Sequence, residues 1–471
     1  MNTAAVAENV AQTWNASIVP QLVEYIRIPA KSPHFDPQWQ EHGHIERVIR
    51  LAEAWVRQQP VRGMTVEIVR LPGRTPVLFF DVAGSGESTV LLYGHLDKQP
   101  EMTGWRDGLG PWQPVLADGK LYGRGGADDG YAVFASLAAI ASLQAQGIAH
   151  ARCVGVIETC EESGSYDLPP YLDLLAPRMG AVDFVVGLDS GCGDYERLWA
   201  TTSLRGLVGG TLSVAVLTEG VHSGDASGVV PSSFRVARAV LDRIEDSATG
   251  RVLPAVFHTS IPDERARQAH EAAAIMGDTV VRKYPFADAT KPMVDGHAEA
   301  LLNRTWRPAL SVTGADGFPA IADAGNVLRP RTALKLSLRL PPPVDGVVAQ
   351  QALRTLLEAD PPHGASVRFE SDEGATGWNA PPTAPWLVHA LREASQTFYG
   401  KPAAAMGEGG TIPFMAMLGK HFPQAQFLIT GVLGPKSNAH GPNEFLHVPY
   451  ATKLTACVAS VLAAHAGRGS G

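Results

Sequence analysis

The sequence predicts an α/β protein in which a domain with a mostly parallel central sheet carries a second, α+β domain as an insertion. Length, periodicity and a change of texture along the chain predict it. At 471 residues the chain exceeds what one hydrophobic core usually supports, so two domains are expected. Short apolar runs at 89–93, 154–157, 184–186 and 427–429 end in glycine or charged clusters, and a helical pattern at 132–146 lies between the first two. Strands that alternate with helices in this way build a largely parallel sheet. From about residue 203 to 385 the pattern changes to alternating strands, at 210–216 and 333–340, around a helix at 232–244. The expected boundaries are 1–204 with 386–471 for a discontinuous first domain and 205–385 for the inserted one.

Apolar residues at helical spacing over 5–28 stop before Pro29 and predict one amphipathic opening helix. The Pro341-Pro342-Pro343 run and the proline-rich stretch 381–385 cannot continue a helix or a central strand, and mark turns or hinges. With 45% hydrophobic and 18% charged residues the composition excludes disorder. A formal charge of −8 and the lack of a Lys/Arg cluster exclude a nucleic-acid partner. Four cysteines, Cys153, Cys160, Cys192 and Cys457, form no CxxC pair and read as reduced, mostly buried thiols rather than zinc ligands. The first 30 residues lack the basic and apolar regions of a signal peptide, and no run approaches a membrane span. The expectation is a cytoplasmic protein with no membrane partner.

The chemistry is concentrated where apolar runs end. Leu91-Leu92-Tyr93-Gly94-His95-Leu96-Asp97 is a buried strand closing on a histidine and an aspartate two apart, the pattern of a metal ligand with an orienting carboxylate. A structural histidine would look the same. Gly123-Arg124-Gly125-Gly126-Ala127-Asp128-Asp129-Gly130 sets two adjacent carboxylates in a glycine-rich turn before a helix; an N-cap role accounts for one of them, not both. The 154–157 run leads into Glu161-Glu162-Ser163-Gly164, where like charges beside a buried strand call for a cation. Asp189 follows the 184–186 run, and Asn438-Ala439-His440-Gly441 follows 427–429. His95, Asp128, Glu162, Asp189 and His440 thus offer nitrogen and oxygen donors suited to Zn²⁺, Mn²⁺ or Co²⁺. All five are expected at the carboxyl ends of the sheet strands, where open α/β sheets place their ligands.

Over nearly its whole length the chain resembles the M20 family of metallopeptidases, in particular its cytosolic nonspecific dipeptidase and carnosinase branch. The resemblance rests on Gly94-His95-Leu96-Asp97, Gly123-Arg124-Gly125 through Asp128-Asp129, Glu161-Glu162-Ser163-Gly164-Ser165, Asp189 and Ser437-Asn438-Ala439-His440-Gly441. It implies a zinc-peptidase-like catalytic domain with an inserted lid and dimerisation domain, and two divalent metal ions per subunit, Zn²⁺ first, with Mn²⁺ and Co²⁺ as alternatives. Asp128 would bridge them, with His95 and Asp189 completing one site and Glu162 and His440 the other. Glu161 would be the general base and Asp97 would orient His95. His222, in Val221-His222-Ser223-Gly224, would reach the partner's active site in a homodimer, while Asn326, Arg339 and Thr411 would bind the carboxylate of a small peptide substrate. The implied activity is hydrolysis of dipeptides or short peptides with a free C-terminal carboxylate. N-acyl-amino-acid deacylation and carboxypeptidase action share the same metal core, and a non-catalytic binding protein is the reading from another class. One departure is Gly130-Tyr131, which stands where relatives usually carry Lys-Gly.

Overall fold

The computed structural model describes residues 1–468, in two compact units. The first comprises Met1–Thr202, Ala380–Met406 and the chain from Met417 onward; the second comprises Ser203–Asn379 and Gly407–Ala416.

The first unit is built on a six-stranded sheet in the order Met64–Val69, Val77–Val82, Arg152–Glu158, Thr89–His95, Val182–Gly187, Gln426–Ile429. Its last three pairings are parallel and its first two antiparallel. The antiparallel side begins with a hairpin, since the link at residues 70–76 is too short for a crossover. The expected mostly parallel sheet is therefore present, with Thr89–His95 inside it and buried at every residue. Helix Ala132–Ala145 is buried on nearly all sides and packs between this strand and the long helix Val448–Gly467. Gly94 makes the close approach possible: a Cβ there would stand 2.6 Å from Ala132 Cβ and 2.9 Å from Asp129 Oδ2. The backbone contact thus carries His95 to the two aspartates.

Where the sequence predicts one helix over 5–28, the chain forms helix Thr3–Thr13, a π-helical turn Trp14–Ile18 and helix Val19–Ile26. Pro20 has no N–H for the carbonyl of Ala16, and the wider turn before it accommodates the missing bond. Trp14 anchors the turn by donating from Nε1 to Thr455 Oγ1 at 2.9 Å.

The second unit has a four-stranded antiparallel sheet in the order Ala309–Asp316, Arg331–Leu340, Gly206–Ala215, Ser366–Ser371. Helices Ser233–Leu241 and Gly346–Glu358 cover it around a core that includes Val208, Leu212, Leu336, Leu338, Val240 and Leu353. Asp345 caps the second helix by accepting from Val348 N at 2.9 Å. Strand Ala309–Asp316 forms an open edge, exposed from Ser311 onward. Among the described residues no helix is long and apolar enough to cross a membrane.

Candidate metal centre

Seven of the residues singled out from the sequence converge in the first unit. His95 ends its strand with Nδ1 3.1 Å from the backbone carbonyl of Asp97 and 3.5 Å from Asp97 Oδ1. The Asp97 carboxylate itself accepts the backbone N–H groups of Glu161 (3.1 Å) and Glu162 (3.0 Å). It therefore fixes the two-glutamate turn as well as flanking the imidazole. His95 Nε2 is fully buried without a hydrogen-bond partner and faces Asp128 Oδ1 at 3.5 Å, Asp189 Oδ2 at 3.7 Å and Glu161 Oε2 at 3.9 Å. On the other side of Asp128, Oδ2 lies 3.0 Å from His440 Nε2, which is 3.3 Å from Glu162 Oε2.

These contacts divide into two donor groups that share Asp128: His95 with Asp128 and Asp189, and Asp128 with Glu162 and His440, each with its ligand atoms within 4.8 Å of one another. Ligands about 2.0–2.1 Å from a tetrahedral ion stand about 3.3 Å apart, close to the nitrogen–oxygen separations found here. The charge balance argues the same way. Asp97, Asp128, Asp129 and Asp189 are buried, as are most of the Glu161 and Glu162 side chains, and among the described residues two histidines, His95 and His440, pair with them. Such a concentration of buried anions needs cations to offset the loss of hydration. The donor set, all nitrogen and oxygen, fits two divalent ions.

Without a cation the protons redistribute. Burial pushes the Asp189 carboxyl up to about 7, with the charge of Asp128 adding to it. Burial raises Glu161 well above the carboxylate range, and the neighbouring Asp189 reinforces this; Glu162 is raised by burial and by Asp128. Burial lowers His95, but the carboxylates of Asp128 and Asp97 outweigh it and hold the imidazole well above its usual value. A metal ion held by His95 would therefore displace a proton.

Local structure explains each position. Asp128 lies in the turn Gly126–Gly130, and its peptide bond to Asp129 is cis. This corrects two expectations. The turn does not follow a strand of the central sheet, because a separate hairpin, Val115–Ala117 with Lys120–Tyr122, precedes it. Neither aspartate caps the next helix, whose N-cap is Tyr131 without a side-chain hydrogen bond. Asp129 instead turns inward, with Oδ2 accepting from His95 N at 3.3 Å. His440 adopts a left-handed backbone, φ 64°, in a loop where Asn438 and Asn443 do the same. Its side chain is 53% exposed, so it forms the solvent side of the centre.

Four further residues hold the site and escaped the sequence reading. Gln99 donates to Glu162 Oε2 at 2.6 Å. Buried Arg124 pairs with buried Glu444 at 2.5 Å and donates to the carbonyls of His440 (3.0 Å) and Gly441 (2.9 Å). Glu444 also accepts Gly125 N at 2.9 Å, so the pair clamps the loop of His440 to the turn of Asp128. Buried Lys98 donates to the carbonyls of Tyr25 (2.7 Å) and Ile28 (2.8 Å) at the end of helix Val19–Ile26. Arg124 lies within the glycine-rich motif and Glu444 three residues beyond the His440 motif, but a separation of 320 residues conceals their pairing. Removing one partner of a buried pair costs about 3–5 kcal/mol. Arg124→Met should lower unfolding stability by that amount in denaturant titrations; a loss below about 1 kcal/mol, the level of an exposed pair, would remove the clamp assignment.

The departure at Gly130-Tyr131 also has a local cause. A Cβ at Gly130 would stand 2.2 Å from the Tyr25 ring, leaving no room for a lysine. Tyr131 donates its hydroxyl to the carbonyl of Leu188, next to Asp189, at 2.5 Å.

The remaining residues lie in the second unit. Arg339 Nη1 donates to Thr411 Oγ1 at 2.9 Å. His222 is exposed on a short strand paired to Val327, and Asn326 accepts Ser223 N through its carbonyl at 2.9 Å, so these two are neighbours.

The sequence pattern of Peptidase family M20/M25/M40 matches residues 91–464, which include all five expected ligands. The chain belongs to that family. This M20 peptidase is 29% identical to a cysteinylglycine-S-conjugate dipeptidase of Corynebacterium striatum, over 77% of this chain and 79% of that one. It is 25% identical to the beta-Ala-His dipeptidase of Rattus norvegicus, over 90% and 88%. Among solved structures, the M20 fold seen here matches the dipeptidase Dug1p of Saccharomyces cerevisiae with a TM-score of 0.77 at 21% identity, covering 99% of this chain and 98% of that one.

Proposed function

We propose that this peptidase hydrolyses the amide bond of dipeptides and short peptides with a free C-terminal carboxylate. The observation that carries the reading is the pair of donor groups sharing Asp128, with the Glu161 carboxylate beside them and outside both. The names of its relatives, two of them dipeptidases, support the substrate class.

His95, Asp128 and Asp189 would hold one divalent ion, and Asp128, Glu162 and His440 the other, with Zn²⁺, Mn²⁺ or Co²⁺ all compatible with the donors. Bound there, the ions supply Lewis acidity, which makes water more acidic and the scissile carbonyl more electrophilic. Glu161 removes the water proton and returns it to the leaving amine, general base and then general acid. Asp97 positions Glu161 and Glu162 through their backbone N–H groups and keeps His95 oriented. Arg339, supported by Thr411, pairs with the substrate carboxylate, with Asn326 as a further contact. The metal ligands, Glu161 and Asp97 belong to the 1–204 and 386–471 domain; 205–385 is the lid and dimerisation domain and supplies His222.

The same reading makes the enzyme a homodimer through the second unit, with His222 polarising the carbonyl in the partner's site. The open edge strand Ala309–Asp316 and the exposed apolar side chains of Val312, Phe318 and Ile321, the last 95% exposed, support an interface there. Four free, buried cysteines fit a cytoplasmic location. If His222 acts in trans, mixing His222→Ala with Glu161→Gln enzyme should recover up to about a quarter of wild-type activity in exchanged heterodimers, because one of the two sites is then intact in half the molecules. No recovery in verified heterodimers would remove the trans role.

The substrate class is tested with dipeptides, N-acyl amino acids and tripeptides, each assayed with Zn²⁺ and Mn²⁺. Dipeptides should give the highest kcat/KM. A preference for N-acyl amino acids or longer peptides would move the assignment to a deacylase or a carboxypeptidase.

A further inference from the structure

The second unit contains a group of cations that the proposed reaction does not use. Arg205, only 9% exposed, donates from Nε to the carbonyl of Gly409 at 3.0 Å, and its own carbonyl accepts from Thr411 Oγ1 at 2.6 Å. Thr411 is the residue that also accepts from Arg339. Arg304, at the end of helix His297–Thr305, approaches the same glycine: a Cβ at Gly409 would stand 3.0 Å from Arg304 Cγ and 3.3 Å from Arg205 Nη2. The Nε of Arg304 is buried without a hydrogen-bond partner. Lys283 completes the group beside Arg304, with the Tyr284 hydroxyl between them.

Arg205, Arg304 and Arg339 thus gather at Gly409 and Thr411, with Lys283 beside Arg304; among the described residues none of the four forms an ion pair with a carboxylate, although Glu408 lies within electrostatic range of Lys283. Two other arginines of this unit do have carboxylate partners, Arg307 with Glu299 at 2.8 Å and Arg331 with Asp316 at 2.7 Å. Burial and the neighbouring Arg339 and Arg304 lower the Arg205 guanidinium to about 10. Half-buried guanidinium groups left without anions are costly, and their planar forks suit carboxylates or phosphates. Arg339 with Thr411 accounts for one anion. The others remain available for a second.

We propose that Arg205, Arg304 and Lys283 form a second anion subsite next to Arg339, so that the preferred substrates carry an acidic group besides the terminal carboxylate, as in a dipeptide with C-terminal glutamate or aspartate. The proposal rests on the assignment of Arg339 to the substrate carboxylate. It goes beyond that assignment in naming the substrate's side chain. A site whose polar groups are left unpaired by the wrong ligand discriminates strongly against it.

The test compares Ala-Glu with its neutral isostere Ala-Gln, and Ala-Asp with Ala-Asn, in the metal-replete full-length enzyme. Wild type should show a kcat/KM ratio of about tenfold or more in favour of the acid, carried mainly by KM. Arg304→Gln, and Arg304→Gln with Lys283→Gln, should bring the ratio close to one, Arg304→Lys should restore part of it, and Arg307→Gln, whose residue already has a carboxylate partner, should leave it as in wild type. A wild-type ratio near or below one, or a ratio unchanged in the double variant, overturns the subsite. If no dipeptide is cleaved, the dipeptidase reading fails while the subsite is still decided by calorimetry. N-acetylglutamate binding about tenfold tighter than N-acetylglutamine, with the difference lost in Arg304→Gln, supports it, and equal binding overturns it.

Discussion

The Glu161→Gln enzyme should keep both metal ions and lose turnover by about 10²- to 10⁴-fold, the usual contribution of a positioned general acid–base group. The carboxylate of Glu161 accepts no hydrogen bond from the described residues, and the nearest charged nitrogen is His95 Nε2 at 3.9 Å. It is therefore placed to take a proton rather than committed to an ion pair. Its backbone N–H is held by Asp97 at 3.1 Å, so an isosteric amide changes charge and basicity while the turn stays in place. Kinetics and elemental analysis on the same preparation read the two effects separately. Near-normal kcat in a variant with two ions per chain would remove Glu161 from the mechanism. Loss of both ions would instead make it a ligand.

Removal of metal should have the largest effect on stability. Saturation of one site at about a thousand times Kd contributes about 4 kcal/mol, and a unit of this size shifts by roughly 2–4 °C per kcal/mol. Chelation should therefore lower Tm by on the order of 10 °C, reversibly on return of Zn²⁺ or Mn²⁺. Asp128→Ala should abolish the response, because Asp128 belongs to both donor groups. The neighbouring carboxylates favour the protonated forms of His95 and His440, and ligation needs the neutral imidazoles. The metal-induced rise in Tm should accordingly shrink as pH falls. A Tm indifferent to chelator and metal in the wild-type protein would contradict the centre.

Much of this site was legible because its residues lie at the ends of buried apolar runs. The strand 89–93 and the helix 132–146 were visible as periodicity, and the structure extends the first to His95 and ends the second at Ala145. The opening helix was less accurately read, because a periodicity count does not register the bond missing at Pro20. The glycine-rich turn showed two aspartates but not their division of labour. Asp128 faces the histidines, while Asp129 accepts the His95 backbone N–H, and that choice depends on the backbone path through residues 126–130.

By itself, then, the sequence determined the fold class, the donor types and the motifs that identify the family. Those properties follow from local pattern and from residue chemistry. The tertiary structure alone decided which donors come together around Asp128, that Arg124 and Glu444 clamp the His440 loop, that Lys98 closes the end of helix Val19–Ile26, and that Arg205 and Arg304 converge on Gly409. Each of these joins segments far apart in the chain, where contact is set by packing of the whole unit and leaves no periodic trace along the sequence.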